Sequence, residues 1–138
     1  MTVLYTAEAT ATGAGRAGRT RTSDGQVDLE LAIPKEMGGP GGATNPEQLF
    51  AAGYSACFHS ALQVVARKQK VDIEGSSVTA EVGIGPNGEG GYGLKVGLLV
   101  ELPGVPAEQA QQLAEAADSV CPYSNAVRGN IDIDVRVA

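Results

Sequence analysis

Two cysteines, one histidine and a few arginine and carboxylate side chains are what this chain can do chemistry with. Cys57 and Cys121 stand 64 positions apart. Each reads first as a small buried hydrophobe and otherwise as half of a reactive pair. A structural zinc site wants four N or S ligands at close spacings. Two Cys and His59 fall short of that, so no metal site is expected. A thiol acts only as thiolate, and apolar burial raises its pKa and leaves it inert. Cys57 lies in Ala51–Leu62, a stretch of small, mostly uncharged residues, so a reactive Cys57 needs a nearby cation. His59 is the tempting candidate, but residues i and i+2 of a helix point about 200° apart. His59 therefore reads as a packing or interface residue, not half of a Cys–His dyad. Arginine is the better cation, permanently charged and forked. Arg16 sits in a loop with Gly13, Gly15 and Gly18, and Glu47 sits in the first turn of the helix that carries Cys57. Ten residues of helix, about 15 Å of rise, keep Glu47 from touching Cys57 directly. A guanidinium from the N-terminal loop or from a partner chain would link carboxylate to thiolate. From spacing alone, Glu47 reads first as a favourable first-turn carboxylate and Arg16 as a solvated loop charge.

Those residues must be positioned by regular elements. Residues 2–11 are β-branched and small and read as a strand, ending at the Gly-rich loop. Val27, Leu29, Leu31 and Ile33 alternate onto one face of a second strand that Pro34 ends. Residues 38–45 form a Gly-rich loop that lacks the Gly-Lys-Ser/Thr of a phosphate cradle. Asn45 reads as an N-cap, Pro46 as the first helical residue and Gln48 as the third position of a capping box. The helix that follows, about 46–69, is apolar around its circumference, which predicts burial in a core or interface. Ser77–Ile84 and Tyr92–Leu102 read as a hairpin across the turn at 87–91, and Pro106–Val120 as a second helix. Pro122 disfavours helical geometry at Cys121, which places that thiol at or just past the helix end. A short turn or helix over 125–128 and a final strand from Ile131 to Val137 complete the chain. The order β-β-α-β-β-α-β predicts an α+β fold with mostly antiparallel sheet. A homodimer would bury the far side of the apolar helix.

Composition bounds the function. The 138 residues suit one domain spanning 1–138. Ten Lys and Arg against sixteen Asp and Glu give a net charge of −6, with four Tyr, two Phe and no Trp. Nucleic-acid binding needs clustered cations or stacking aromatics, and the chain has neither. No apolar run reaches the roughly 18 residues of a membrane span, and no secretory leader is visible. The expectation is a soluble cytoplasmic protein that binds neither nucleic acid nor membrane.

Several long motifs go beyond these readings. Val-Leu-Tyr-Thr-Ala at 3–7, Gly-Gly-Pro-Gly-Gly at 38–42, the segment from Thr44 to Phe58 around Ser-Ala-Cys-Phe, and Val-Cys-Pro-Tyr-Ser-Asn-Ala-Val-Arg-Gly-Asn-Ile at 120–131 follow one another in order. In these the chain resembles the organic hydroperoxide resistance proteins of the osmotically inducible protein C superfamily. The resemblance implies an intertwined α+β homodimer with two sites near the interface, and a thiol peroxidase acting on alkyl or fatty-acid hydroperoxides. By motif, Cys57 matches the peroxidatic cysteine, Cys121 the resolving cysteine, Glu47 the carboxylate that orients the active-site arginine, and Arg16 that arginine. Arg19 and Arg21 lie close to Arg16 and compete for the last assignment. The resemblance implies that Arg16 lowers the Cys57 pKa and that a Cys57–Cys121 disulfide forms during turnover. An external dithiol, by resemblance lipoyl groups on partner proteins, regenerates the thiols, and no metal, haem or flavin cofactor is called for. Two alternatives stand beside this: a broader-specificity peroxidase of the same superfamily, and a non-catalytic redox sensor or apolar-ligand binder.

Overall fold

Short strands punctuated by glycine shape the first part of the chain. The computed structural model describes Met1–Ala138 throughout and divides into two compact units, Met1–Leu49 and Phe50–Ala138. In the first unit, β1 (Ala9–Thr12), β2 (Arg19–Thr22) and β3 (Asp28–Glu30) form an antiparallel meander in that order. The β1–β2 register runs from Ala9 opposite Thr22 to Thr12 opposite Arg19, and Arg19 lies opposite Glu30 across β2–β3. The loop between β1 and β2 turns through a single 3₁₀ turn at Gly15–Ala17. Gly18 closes it, because a Cβ there would lie 2.1 Å from the Thr12 carbonyl oxygen. After β3, Leu31 and Ala32 are buried. Leu31 bridges to Thr44 in parallel and the Ala32 amide donates to the Thr44 carbonyl at 2.9 Å. Those contacts deliver the chain to Asn45.

Two sequence expectations are corrected in this unit. The strand expected over 2–11 is confined to Ala9–Thr12, and the residues before it are exposed, Val3 by 64% and Leu4 by 95%. A β-branched segment becomes a strand only where a ladder partner stands beside it, and β2 reaches only as far as Ala9. The strand expected over 27–33 shrinks to Asp28–Glu30, and β2, Arg-Thr-Arg-Thr, went unread because it has no apolar face.

Helix α1 (Pro46–Lys68) starts where the capping signals place it: the Asn45 Oδ1 accepts the Gln48 amide at 2.9 Å. Tyr54, Phe58, Ala61, Leu62, Val65 and Ala66 make its buried stripe. The expected burial holds along that stripe, whereas Ala52, Ala56, Ser60 and Val64 on the other side are exposed in the single chain. The expectation of no membrane-length apolar segment is also corrected. Within α1 an 18-residue stretch has mean hydropathy 1.3, long and apolar enough to cross a membrane by length and composition alone. Gly, Ser and Tyr interrupt the apolar run but add no charge, and the stripe packs as the core helix of its unit.

The second unit's sheet holds β4 (Ser77–Pro86) and β5 (Tyr92–Glu101) as an antiparallel hairpin, with β6 (Ile133–Val137) parallel to β5. Asn87 shapes the turn by accepting the amides of Glu89 at 2.8 Å and Gly91 at 3.1 Å. Val96, Leu98 and Val100 point inward from β5 and join α1 and Ala110, Leu113, Ala114 and Ala117 of α2 (Ala107–Val120) in one core. A short helix α3 (Pro122–Val127) follows α2 with only Cys121 between them. The result is the expected α+β fold of mostly antiparallel sheet.

Candidate active site

The Gly-rich loop and the helix cap together build an ion pair in the first unit. Arg16 occupies the 3₁₀ turn between β1 and β2, and Glu47 is the second residue of α1. Their groups meet as a two-armed fork, Nη1 donating to Oε2 at 2.8 Å and Nη2 to Oε1 at 2.7 Å. The Glu47 side chain is 11% exposed and the Arg16 side chain 37%. The hydrogen-bonded guanidinium holds the Glu47 carboxyl below the usual carboxylate range, against the opposing pull of burial. Arg19 is engaged elsewhere: its Nε donates to Asp28 at 2.8 Å on the exposed face of the meander. The neighbouring arginines therefore divide by partner, and Arg16 is the one forked on Glu47.

The thiols meet in the second unit. Cys57 is half-buried in the middle of α1, and Cys121 is fully buried at the junction of α2 and α3. Cys121 takes an extended conformation (φ −65°, ψ 120°), as the following proline requires. It thereby ends α2 and caps α3 at once, and its sulfur lies 3.7 Å from that of Cys57. Both are free thiols. A disulfide is about 2.0 Å long, so the sulfurs need to close by less than the width of one atom. Two residues expected from sequence to pair thus do meet, as do Arg16 and Glu47.

The electrostatics of Cys57 follow from its burial. Its pKa is raised, chiefly by burial, and the neighbouring Cys121 thiol pushes the same way. The opposing influence is a hydrogen bond from the Tyr123 backbone amide. That amide lies in the first turn of α3, where Pro122 opens the helix and the early N–H groups have no partner within it. The sequence signal for this is Cys-Pro-Tyr, a helix start beside a thiol. His59, as expected, looks elsewhere: its Nε2 lies 2.9 Å from Ser76 Oγ.

Three aromatic rings of α1 and α3 pack together, an arrangement that no sequence spacing marks. Phe50 and Tyr54 of α1 and Tyr123 of α3 form a cluster with ring centres 5.6 to 6.3 Å apart. Gly53, one turn before Cys57, makes room for it: a Cβ there would lie 2.9 Å from the Tyr123 hydroxyl. Tyr54 and Ser124, both fully buried, share a hydrogen bond of 2.6 Å between their hydroxyls.

Comparison with known proteins shows the family. Residues 39–136 match the family model described as OsmC-like protein. The chain is 51% identical to an organic hydroperoxide resistance protein of Xanthomonas axonopodis pv. citri, covering 99% of this chain and 96% of that one. The crystal structure of an organic hydroperoxide resistance protein from Legionella pneumophila superposes with a TM-score of 0.95 at 50% identity, covering 99% of both chains. That of one from Elizabethkingia anophelis does so with a TM-score of 0.95 at 50% identity, covering 100% of this chain and 99% of the other.

Proposed function

The chain belongs to the OsmC-like protein family, in its organic hydroperoxide resistance branch, and from that premise we propose that it is a cysteine-based peroxidase that reduces organic hydroperoxides to alcohols. The observation that carries the reading is the pair of free thiols 3.7 Å apart, one half-buried and one fully buried. A packing role for both would not need them to meet. In the first step the Cys57 thiolate attacks the distal peroxide oxygen and the O–O bond breaks. The alcohol leaves as an incipient alkoxide and takes up a proton, and Cys57 becomes a sulfenic acid. In the second, the Cys121 sulfur attacks the Cys57 sulfur. The S–O bond breaks, water leaves with the thiol proton, and a disulfide forms. An external dithiol, in this proposal a lipoyl group on a partner protein, exchanges with the disulfide and restores both thiols.

Arg16 and Glu47 supply the electrostatics. Burial, with the Cys121 thiol beside it, raises the Cys57 pKa, so in this reading a cation favours the thiolate that acts as nucleophile. In the assembled homodimer that we propose, the Arg16 guanidinium faces the Cys57 thiolate and then the departing alkoxide. Glu47 fixes the fork so that the guanidinium plane is set before the peroxide arrives. The apolar side chains near Cys57, Phe50 and Tyr54 among them, favour an alkyl peroxide over hydrogen peroxide. The protein is placed in the cytoplasm, where reduced thiols persist.

The test is a thiol count with intact mass after one equivalent of tert-butyl hydroperoxide, followed by dihydrolipoamide. Loss of both thiols with a mass drop of about 2 Da, then repeated turnover, is the expected result. Two surviving thiols would overturn the assignment.

A further inference from the structure

Beyond the two thiols, α1 and α3 are joined by a second polar contact, and its placement is informative. Tyr54 precedes Cys57 by three residues on α1, and Ser124 follows Cys121 by three on α3. Tyr54 and Ser124 therefore each stand about one helical turn along the chain from a cysteine, and their hydroxyls, both on fully buried side chains, meet at 2.6 Å. A core made of Leu, Val and Ala would hold α3 without it, and burying two hydroxyls has a cost that a hydrogen bond between them only offsets. What the bond adds over apolar packing is direction: it fixes the rotation and height of α3 on α1. Since Cys121 caps α3, fixing that helix fixes where the Cys121 sulfur stands. Gly53 supports the same arrangement by letting the Tyr123 phenol lie against α1.

We propose that Tyr54 and Ser124 are positioning residues for the resolving step, holding the Cys121 sulfur over Cys57 so that disulfide formation outruns a second oxidation. The inference rests on the peroxidase reading. Once Cys57 is a sulfenic acid, two reactions compete. Attack by Cys121 forms the S–S bond and releases water. Attack on a second organic hydroperoxide instead gives the sulfinic acid and a second alcohol, and the enzyme is lost. The first depends on where Cys121 stands, whereas the second depends only on peroxide concentration. The ratio of the two products thus reports position, and it is taken after the first oxidation, so the speed of that oxidation does not enter it.

The experiment uses the full chain and its Tyr54→Phe, Ser124→Ala and Ser124→Thr variants. Reduced protein is exposed to graded excesses of tert-butyl hydroperoxide and read by intact mass, a loss of about 2 Da marking disulfide and a gain of about 32 Da marking sulfinic acid. Tyr54→Phe keeps the ring and Ser124→Ala the small volume, so either breaks the bond with little change of shape; thermal melts confirm folding. The expected result is a sulfinic fraction about tenfold higher in both at equal peroxide, a shift of about 1.4 kcal/mol in the competition, with Ser124→Thr restoring the parent ratio. Parent-like ratios in Tyr54→Phe and Ser124→Ala, with the parent reactive, would overturn this inference alone. Should one variant not fold, the other decides. A parent that keeps both thiols after peroxide would overturn the peroxidase reading, and this inference with it.

Discussion

Replacing Glu47 by Gln tests whether the fork orients the guanidinium or merely decorates a helix cap. The change keeps the size and one acceptor, but removes the charge and one arm of the fork. Charge-assisted hydrogen bonds contribute about 1.5–3 kcal/mol when buried, and exposed ion pairs about 0.2–1. With Glu47 at 11% and Arg16 at 37% side-chain exposure, the pair falls between, at about 1–2 kcal/mol. If that energy orients Arg16 for the transition state, kcat/KM for tert-butyl hydroperoxide falls roughly 5- to 30-fold. The assay is a dithiol-coupled peroxidase measurement, with rapid-quench detection of Cys57 oxidation to isolate the first step. The pH dependence supplies a second reading. The Glu47 carboxyl has a lowered folded pKa, because Arg16 hydrogen-bonds it. Its contribution to stability is therefore present above the ordinary carboxylate value of about 4.3 and is lost as pH falls through the lower folded value. The Gln variant loses that acid-side dependence. An unchanged kcat/KM would refute the orienting role and return Glu47 to a first-turn carboxylate.

Four further outcomes are expected. Cys57→Ser abolishes peroxide consumption, whereas Cys121→Ser reacts once and then stalls at sulfenic acid or over-oxidises, as read by dimedone labelling and intact mass. Arg16→Ala slows the first step by roughly 10²–10³, the cost of losing one electrostatic stabiliser of the developing oxyanion. Arg19→Ala, whose Nε bonds Asp28 on the surface, leaves the rate within twofold; quench-flow on both variants checks the pair. Gly53→Ala forces the Tyr123 hydroxyl away from a Cβ that would lie 2.9 Å from it. It costs about 1 kcal/mol, a fall of roughly 3–5 °C in Tm by calorimetry. Because the Cys57 pKa is raised in the fold, the unfolded chain gives up its thiol proton first. Stability then falls as pH climbs past about 8.5, a loss that Cys57→Ala removes in alkaline denaturant titrations.

The helical half of the site was legible and the strand half was not, for a physical reason. Asn45, Pro46 and the small-residue run mark α1 by local rules that need no partner, and Pro122 fixes Cys121 outside α2 in the same local way. Residues 2–11 carry β-branched side chains, but a strand is made by its neighbour, and β2, which supplies the neighbour, shows no apolar alternation. The pairing of Arg16 with Glu47 crosses 31 positions, and no spacing rule reaches that far. It entered through motif resemblance, and the fork now distinguishes Arg16 from Arg19. The Tyr123 amide and the Tyr54–Ser124 bond could not be read at all. Both depend on α3 lying against α1, a tertiary arrangement that Gly53 permits without announcing it.

Cys57 is pulled in opposite directions by the two things its chemistry needs. A dry, apolar setting suits an alkyl peroxide and protects a sulfenic acid from stray reactants, yet the same dryness raises the thiol pKa. In the single chain only the Tyr123 amide works against burial, and one neutral donor is a weak counterweight to lost solvation. The proposed homodimer sharpens the conflict. A second copy that covered Ala52, Ala56, Ser60 and Val64 would remove further water from α1. A peroxidase built this way cannot rely on a loosely placed lysine, whose ammonium would stay with water. It needs a cation already bound and already oriented by a carboxylate. The two-armed fork of Arg16 on Glu47, Nη1 donating to Oε2 and Nη2 to Oε1, is a cation held in that way.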